Sequence, residues 1–173
     1  MIRKLQLSDV DRVAEIYDKI HANEEAGITT IGWIRDVYPT KDTVMAALDR
    51  DDMFVLENED GIITASAIIN KVQVDSYADG EWEYQAEDDK VMVIHTLVVD
   101  PDFKGKGTGT EFIRFYEEFA KEDGCSVLRL DTNARNLAAR SLYEKLGYRE
   151  AGIVPCEFNG IPGVQLVLIE KSL

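Results

Sequence analysis

The longest run of apolar positions is Val91-Met92-Val93-Ile94-His95-Thr96-Leu97-Val98-Val99, near-continuous and β-branched, which predicts a strand buried on both faces. Downstream, Phe112, Ile113, Phe115, Tyr116 and Phe119 recur at helical spacing, so the stretch between them is a strand-to-helix turn. Earlier in the chain, Ile2, Leu5 and Leu7 predict a short first strand. Ser8 and Asp11 predict a capping-box start for a helix whose buried face is Val10, Val13, Ala14, Tyr17 and Ile20. Periodicity lapses from Asn23 to Pro39, yet Ile28, Ile31, Trp33, Ile34, Val37 and Tyr38 make the segment apolar for a loop. It either holds a short helix or folds over something.

Thr40 is placed to cap a second helix running to about Asp49, with Val44, Ala47 and Leu48 inward. Met53–Leu56 and Ile62–Ile69 read as a hairpin around Asn58-Glu59-Asp60-Gly61. After the central strand, turn and helix come a buried strand, Val127–Leu130, and a helix over Asn136–Leu146 stopped by Gly147. Two late strands, Tyr148–Val154 and Gln165–Glu170, are joined by a loop over 155–163. This order predicts an α+β fold on a mostly antiparallel sheet, with residues 1–173 as one domain.

Composition narrows the partners. The 19 Lys and Arg stand against 33 Asp and Glu, and a net charge of −14 repels nucleic acid and anionic membrane while attracting cations, amines included. No apolar run approaches the roughly 20 residues of a membrane span, and the expected location is cytoplasmic. Cys125 and Cys156 sit beside apolar runs and read as inert thiols. His21 and His95 are far apart with no cluster at ligand spacing, so no metal site is expected.

The turn itself is Lys104-Gly105-Lys106-Gly107-Thr108-Gly109-Thr110. Alternate glycines leave backbone N–H groups free to face an anion at the positive end of the following helix, although such a turn also serves chain reversal alone. It is neither of two familiar phosphate motifs: a dinucleotide fingerprint needs glycine where Thr110 stands, and a P-loop needs Gly-Lys-Ser/Thr, whereas Lys106 precedes Gly107.

Together with Leu97-Val98-Val99-Asp100-Pro101-Asp102-Phe103 before it and Asn136-x-x-Ala139-x-x-Leu142-Tyr143-x-x-Leu146-Gly147-Tyr148 after it, the turn resembles the GCN5-related N-acetyltransferase family over about Ile94–Tyr148. The resemblance implies a GNAT-like sheet of six to seven strands with about four helices, splayed at the central strand to hold acetyl-coenzyme A. It also implies acetyl transfer to a primary amine, on a small molecule or a peptide, by direct attack in a ternary complex. Non-catalytic acyl-coenzyme A binding is the alternative, and a homodimer is left open.

By resemblance, Leu97, Val98 and Val99 pair with the pantetheine arm, Lys104 to Thr110 hold the diphosphate, and Asn136 bonds the arm. Lys104 stands where the family has arginine or glutamine. Tyr143 matches the tyrosine that protonates the departing thiolate, although its place on an apolar helix face equally suits a core residue. The amine must lose a proton, and Glu81, Glu83, His95 and Asp131 are the candidate bases, with Glu83 and His95 preferred. The acceptor is expected between the Trp33–Tyr38 segment, the late loop around Phe158, and an acidic excursion over Asp75–Lys90 whose Trp82 and Tyr84 can hold a cation by charge and cation–π contact.

Overall fold

A computed structural model describes residues 1–173 as a seven-stranded sheet in the order β1-β2-β3-β4-β5-β7-β6. In chain order the elements are β1 (Ile2–Lys4), α1 (Val10–Glu25), α2 (Lys41–Arg50), β2 (Met53–Glu57), β3 (Ile63–Asn70), β4 (Val91–Val99), α3 (Thr108–Glu122), β5 (Val127–Asn133), α4 (Leu137–Lys145), β6 (Arg149–Phe158) and β7 (Ile161–Ser172). Every neighbouring pair is antiparallel except β4 and β5. The strand period of two divides the core between the faces. Phe54, Leu56, Met92 and Ile94 pack beneath α3 with Phe112, Ile113 and Tyr116, whereas Met53, Val55 and Ile68 pack beneath α1 and α2 with Val13, Ile16 and Val44. A third cluster joins β5, β6 and β7 to the segment after β3.

Two features of β4 shape the site. Ser66 pairs with Val98 and Ile68 with His95, so three steps on β4 oppose two on β3, a β-bulge centred on Thr96 and Leu97. Thr96 takes φ 51, a left-handed conformation that a β-branched residue rarely adopts. On its other side β4 pairs with β5 only at Val91–Val93 against Val127–Arg129, beyond which the two strands part. The splay implied by the family resemblance is therefore a short parallel ladder that opens into a fork.

Several boundaries differ from the sequence expectation. Leu7 is 70% exposed in a 3-10 turn, and the capping box before α1 uses Gln6 and Asp9. Asp9 is favoured over Ser8 and Asp11 because its carboxylate accepts Gln6 N–H at 2.8 Å and also pairs with Arg3 at 2.7 Å. The expected late loop is mostly strand: β6 runs on to Phe158 and β7 starts at Ile161, with Asn159 (φ 52) and Gly160 (φ 77) as a two-residue hairpin turn. Pro155 is tolerated within β6 because β6 is an edge strand.

Candidate active site

The fork, the glycine turn and the segment after α1 enclose one cavity of about 890 Å3. Leu97, Val98 and Val99 line one side of it, Asp131, Thr132 and Asn133 the other, and Tyr143 closes it from α4. Tyr116, fully buried on α3, holds the point of divergence: its hydroxyl donates to the Met92 carbonyl on β4 at 2.6 Å, with the Arg129 carbonyl on β5 at 3.1 Å. Periodicity marks Tyr116 as core, and nothing in the local pattern distinguishes it from Phe115.

The three glycines of the turn do different things. Gly105 (φ 81) and Gly107 (φ 83) occupy left-handed backbone with open space where a Cβ would stand, whereas Gly109 lies in the first turn of α3 against Leu142 of α4. None of the backbone N–H groups from Gly105 to Thr110 donates within the chain; the first bond of the helix is Glu111 N–H to the Gly107 carbonyl at 2.9 Å. Free donors over an open, Cβ-free concavity at a helix N-terminus fit a diphosphate. Lys104, Gly105, Gly107, Thr108, Gly109 and Thr110 line the cavity, but Lys106 turns back over the Phe103 ring at 4.9 Å, so its expected contact is not seen.

The turn is tied to α1 through Asp100, which is fully buried. Its carboxylate accepts from Asp102 N–H (2.9 Å), from Arg12 and from Lys19 (3.1 Å), and despite burial this N–H and then the two cations hold it below the usual carboxylate range. Asn136 caps α4 by accepting Ala139 N–H at 3.2 Å, and it also lines the cavity. Tyr143 is buried and faces the cavity, and burial, then the charge of Asp131, pushes its hydroxyl up. No hydrogen bond contributes to that shift, which leaves the phenol a donor without a partner in the chain.

The four candidate bases separate. Glu83 lies outside the cavity, where Arg149 reaches it at 3.4 Å while its backbone N–H donates to Glu170, and Glu81 lies outside it as well. His95 lines the cavity, but its Nε2 is 2.9 Å from Asn70 Oδ1 and burial lowers its pKa to about 4, so the ring is neutral, pinned and a weak base. Asp131 projects from the open arm of the fork. Burial raises its pKa to about 6, partly opposed by Tyr77, whose hydroxyl donates to Asp131 Oδ2 at 2.7 Å. It lines the cavity together with Tyr38 and Tyr143, and its charge adds to burial in raising the pKa of both.

Of the expected acceptor contacts, Trp33 and Tyr38 line the cavity and Trp82 and Tyr84 do not. Trp82 stacks on Arg129 at 4.1 Å and donates its Nε1–H to the Tyr77 carbonyl at 2.7 Å. The expected cation–π contact forms, but to a cation of the chain itself. Tyr84 N–H and Glu83 N–H both donate to the buried Glu170, which fixes the excursion as packing. The apolar segment after α1 folds over the cavity as a strap. Glu24 accepts from Thr29 Oγ1 (3.1 Å), Ile31 N–H (2.8 Å) and Gly32 N–H (2.9 Å), and the Tyr38 hydroxyl bonds Thr96 Oγ1 at the bulge.

With this geometry, comparison with known proteins is specific. The acetyltransferase (GNAT) family profile matches residues 14–148, well over half of the chain. The N-acetyltransferase MJ1207 of Methanocaldococcus jannaschii is 29% identical over 155 residues, covering 88% of this chain and 62% of that protein. The N-acetylaspartate synthetase of Xenopus tropicalis is 35% identical over 85 residues, 49% of this chain and 31% of that protein. The chain thus spans less than two thirds of either relative. A GNAT-family acetyltransferase structure from Streptococcus agalactiae superposes with a TM-score of 0.84 at 20% identity, covering 100% of this chain and 95% of that one. The Salmonella typhimurium protein yncA, solved with acetyl-CoA, superposes at 0.70 and 19% identity over 100% and 93%. The chain belongs to the acetyltransferase (GNAT) family.

Proposed function

We propose that the protein transfers an acetyl group from acetyl-coenzyme A to a primary amine by direct attack in a ternary complex. The observation that carries this reading is the convergence of a forked β4–β5 pair, a donor-rich glycine turn, a buried carboxylate and an unpartnered phenol on one cavity. Gly105 to Thr110 offer N–H groups to the diphosphate, and the β4 edge from Ile94 onward, unpaired toward β5, offers main-chain groups to the pantetheine arm as an added strand would. The donor supplies an acetyl carbon activated by its thioester bond.

The chain's residues supply the rest. Asp131 takes the proton that an ammonium must lose before its nitrogen attacks. The Leu97 N–H, displaced from the β3 register by the bulge, donates to the carbonyl oxygen as negative charge grows there. As nitrogen–carbon bonding replaces the carbon–sulfur bond, Tyr143 donates its proton to the departing sulfur and is restored by the second proton, which the nitrogen sheds on becoming an amide; a thiol near pKa 8.5 leaves with modest help. Neither Cys125 nor Cys156 lines the cavity, and the scheme needs no covalent enzyme intermediate.

Thermal unfolding tests the cofactor half of the scheme. Coenzyme A should raise the melting temperature and ATP should not, and release of free thiol from acetyl-coenzyme A should require an amine. Stabilisation by ATP but not by coenzyme A would overturn the assignment.

A further inference from the structure

We infer that the acceptor is a small primary amine carried on an apolar body, with no carboxylate beside the nitrogen and no peptide chain trailing from it. The inference rests on the acetyl-transfer reading above and narrows its acceptor. Three observations carry it, and they concern the part of the cavity away from the glycine turn.

The first is the wall. Trp33 and Tyr38 from the strap face the cavity together with Phe158, Ile161, Val164 and Leu166 from the β6–β7 hairpin. Such a surface rewards an apolar body, while Thr132, Asn133 and Asn159 in the same lining offer hydrogen bonds to a neutral polar group.

The second is charge. The charged side chains of the wall are Lys104 and Asp131. Lys104 belongs to the turn assigned to the diphosphate, and His95 is neutral and bonded to Asn70. Arg135, whose guanidinium lies against Gly32, is exposed and is not part of the wall. An ammonium arriving at Asp131 finds its counter-charge. An α-carboxylate two bonds away from that nitrogen finds only the same negative group, in a site where an unpaired charge is poorly solvated.

The third is the roof. The strap is anchored on both banks of the cleft: Thr30 Oγ1 donates to the Arg135 carbonyl beyond β5 at 2.9 Å, and Val37 packs against Gly160 in the β6–β7 turn. Glu24 fastens its start to α1 through three accepted hydrogen bonds. A strap held at both ends makes a pocket, whereas a peptide needs an open groove along which its backbone can leave.

Free-thiol release from acetyl-coenzyme A by the unmodified protein separates these elements with five acceptors that vary one feature at a time. They are 2-phenylethylamine, phenylalanine amide, phenylalanine, the tripeptide Phe-Ala-Ala amide, and aspartate. The expected order of kcat/KM places 2-phenylethylamine first and phenylalanine amide close behind. Phenylalanine and aspartate should be lower by about 100-fold or more, the penalty of a like charge placed beside Asp131. The tripeptide amide, which lacks the carboxylate but carries a chain, should also be lower by about 100-fold, reflecting the roof. Turnover of phenylalanine or aspartate as fast as 2-phenylethylamine would overturn the charge argument, and equal turnover of the tripeptide would overturn the pocket argument; either result leaves acetyl transfer standing. Absence of thiol release with all five, from protein that coenzyme A still protects against unfolding, would overturn this inference, whereas loss of that protection as well would overturn the acetyl-transfer reading on which it rests.

Discussion

Folding and chemistry make opposite demands on Asp131. Burial raises its pKa to about 6, above the ordinary carboxylate value, so the folded state holds the proton more tightly than the unfolded chain does. The favourable contribution of this group is therefore complete below about pH 4 and is lost as pH rises through about 6, whereas a base must be ionised to act. Asp131→Asn keeps an acceptor for the Tyr77 hydroxyl and removes the buried charge. We expect it to lower kcat by about 10²–10⁴-fold. In denaturant titrations it should be more stable than the parent at pH 8, by on the order of 2 kcal/mol, with no difference at pH 4. Tyr143→Phe should lower kcat while leaving the KM for acetyl-coenzyme A nearly unchanged, and an unaltered kcat would remove its role as acid. His95→Gln, at a ring already neutral and tied to Asn70, should leave the pH profile of kcat/KM in place. The sequence does not rank the candidate bases, for a physical reason. Glu83 and Asp131 are equivalent carboxylates in the chain, and only packing leaves one exposed beside Arg149 and sets the other in the cavity wall, bonded to Tyr77.

Among the elements, the turn and α4 were legible in the sequence because their patterns are local. The glycine spacing, the Asn136 cap and the position of Tyr143 each lie within a few residues of what they specify. The excursion after β3 was not legible, since the place of Trp82 depends on Arg129 and that of Tyr84 on Glu170, both distant in the chain. The extent of the β6–β7 hairpin was not legible, because the segment over 155–163, with Pro155, Pro162 and three polar or glycine positions between them, has no strand pattern of its own and is held as strand by pairing with its partner. Within the turn, the glycines should respond unequally. Gly107→Ala forces a Cβ into left-handed backbone and should cost about 1–2 kcal/mol of stability. Gly109→Ala meets Leu142 Cδ2 at 3.5 Å, an ordinary contact, and should not destabilise. Thermal denaturation of the two variants checks the contrast. At the fork, Tyr116→Phe leaves the buried Met92 and Arg129 carbonyls without their donor and should cost about 1–3 kcal/mol.

At the scale of the whole molecule, the sequence indicated the sheet, its central turn and the family, and the structure added how far apart β4 and β5 stand and what roofs the gap. The bulge at Thr96 displaces β4 on the β3 side, Tyr116 pins the fork, Asp100 ties the turn to α1, and the strap covers the remaining opening. Around this site lies a net charge of −14, which should draw a cationic amine toward the cleft, so its kcat/KM should fall as ionic strength rises. In the proposed reaction, amine attack in this fork depends on proton transfer to Asp131. Its most direct test is the rate of amine-dependent thiol release from acetyl-coenzyme A across pH 5 to 8, in the parent protein and in Asp131→Asn. The parent kcat/KM should rise with pH and include an ionisation near 6, and that ionisation and most of the rate should be absent from the variant. A variant that retains the parental rate and profile would contradict it.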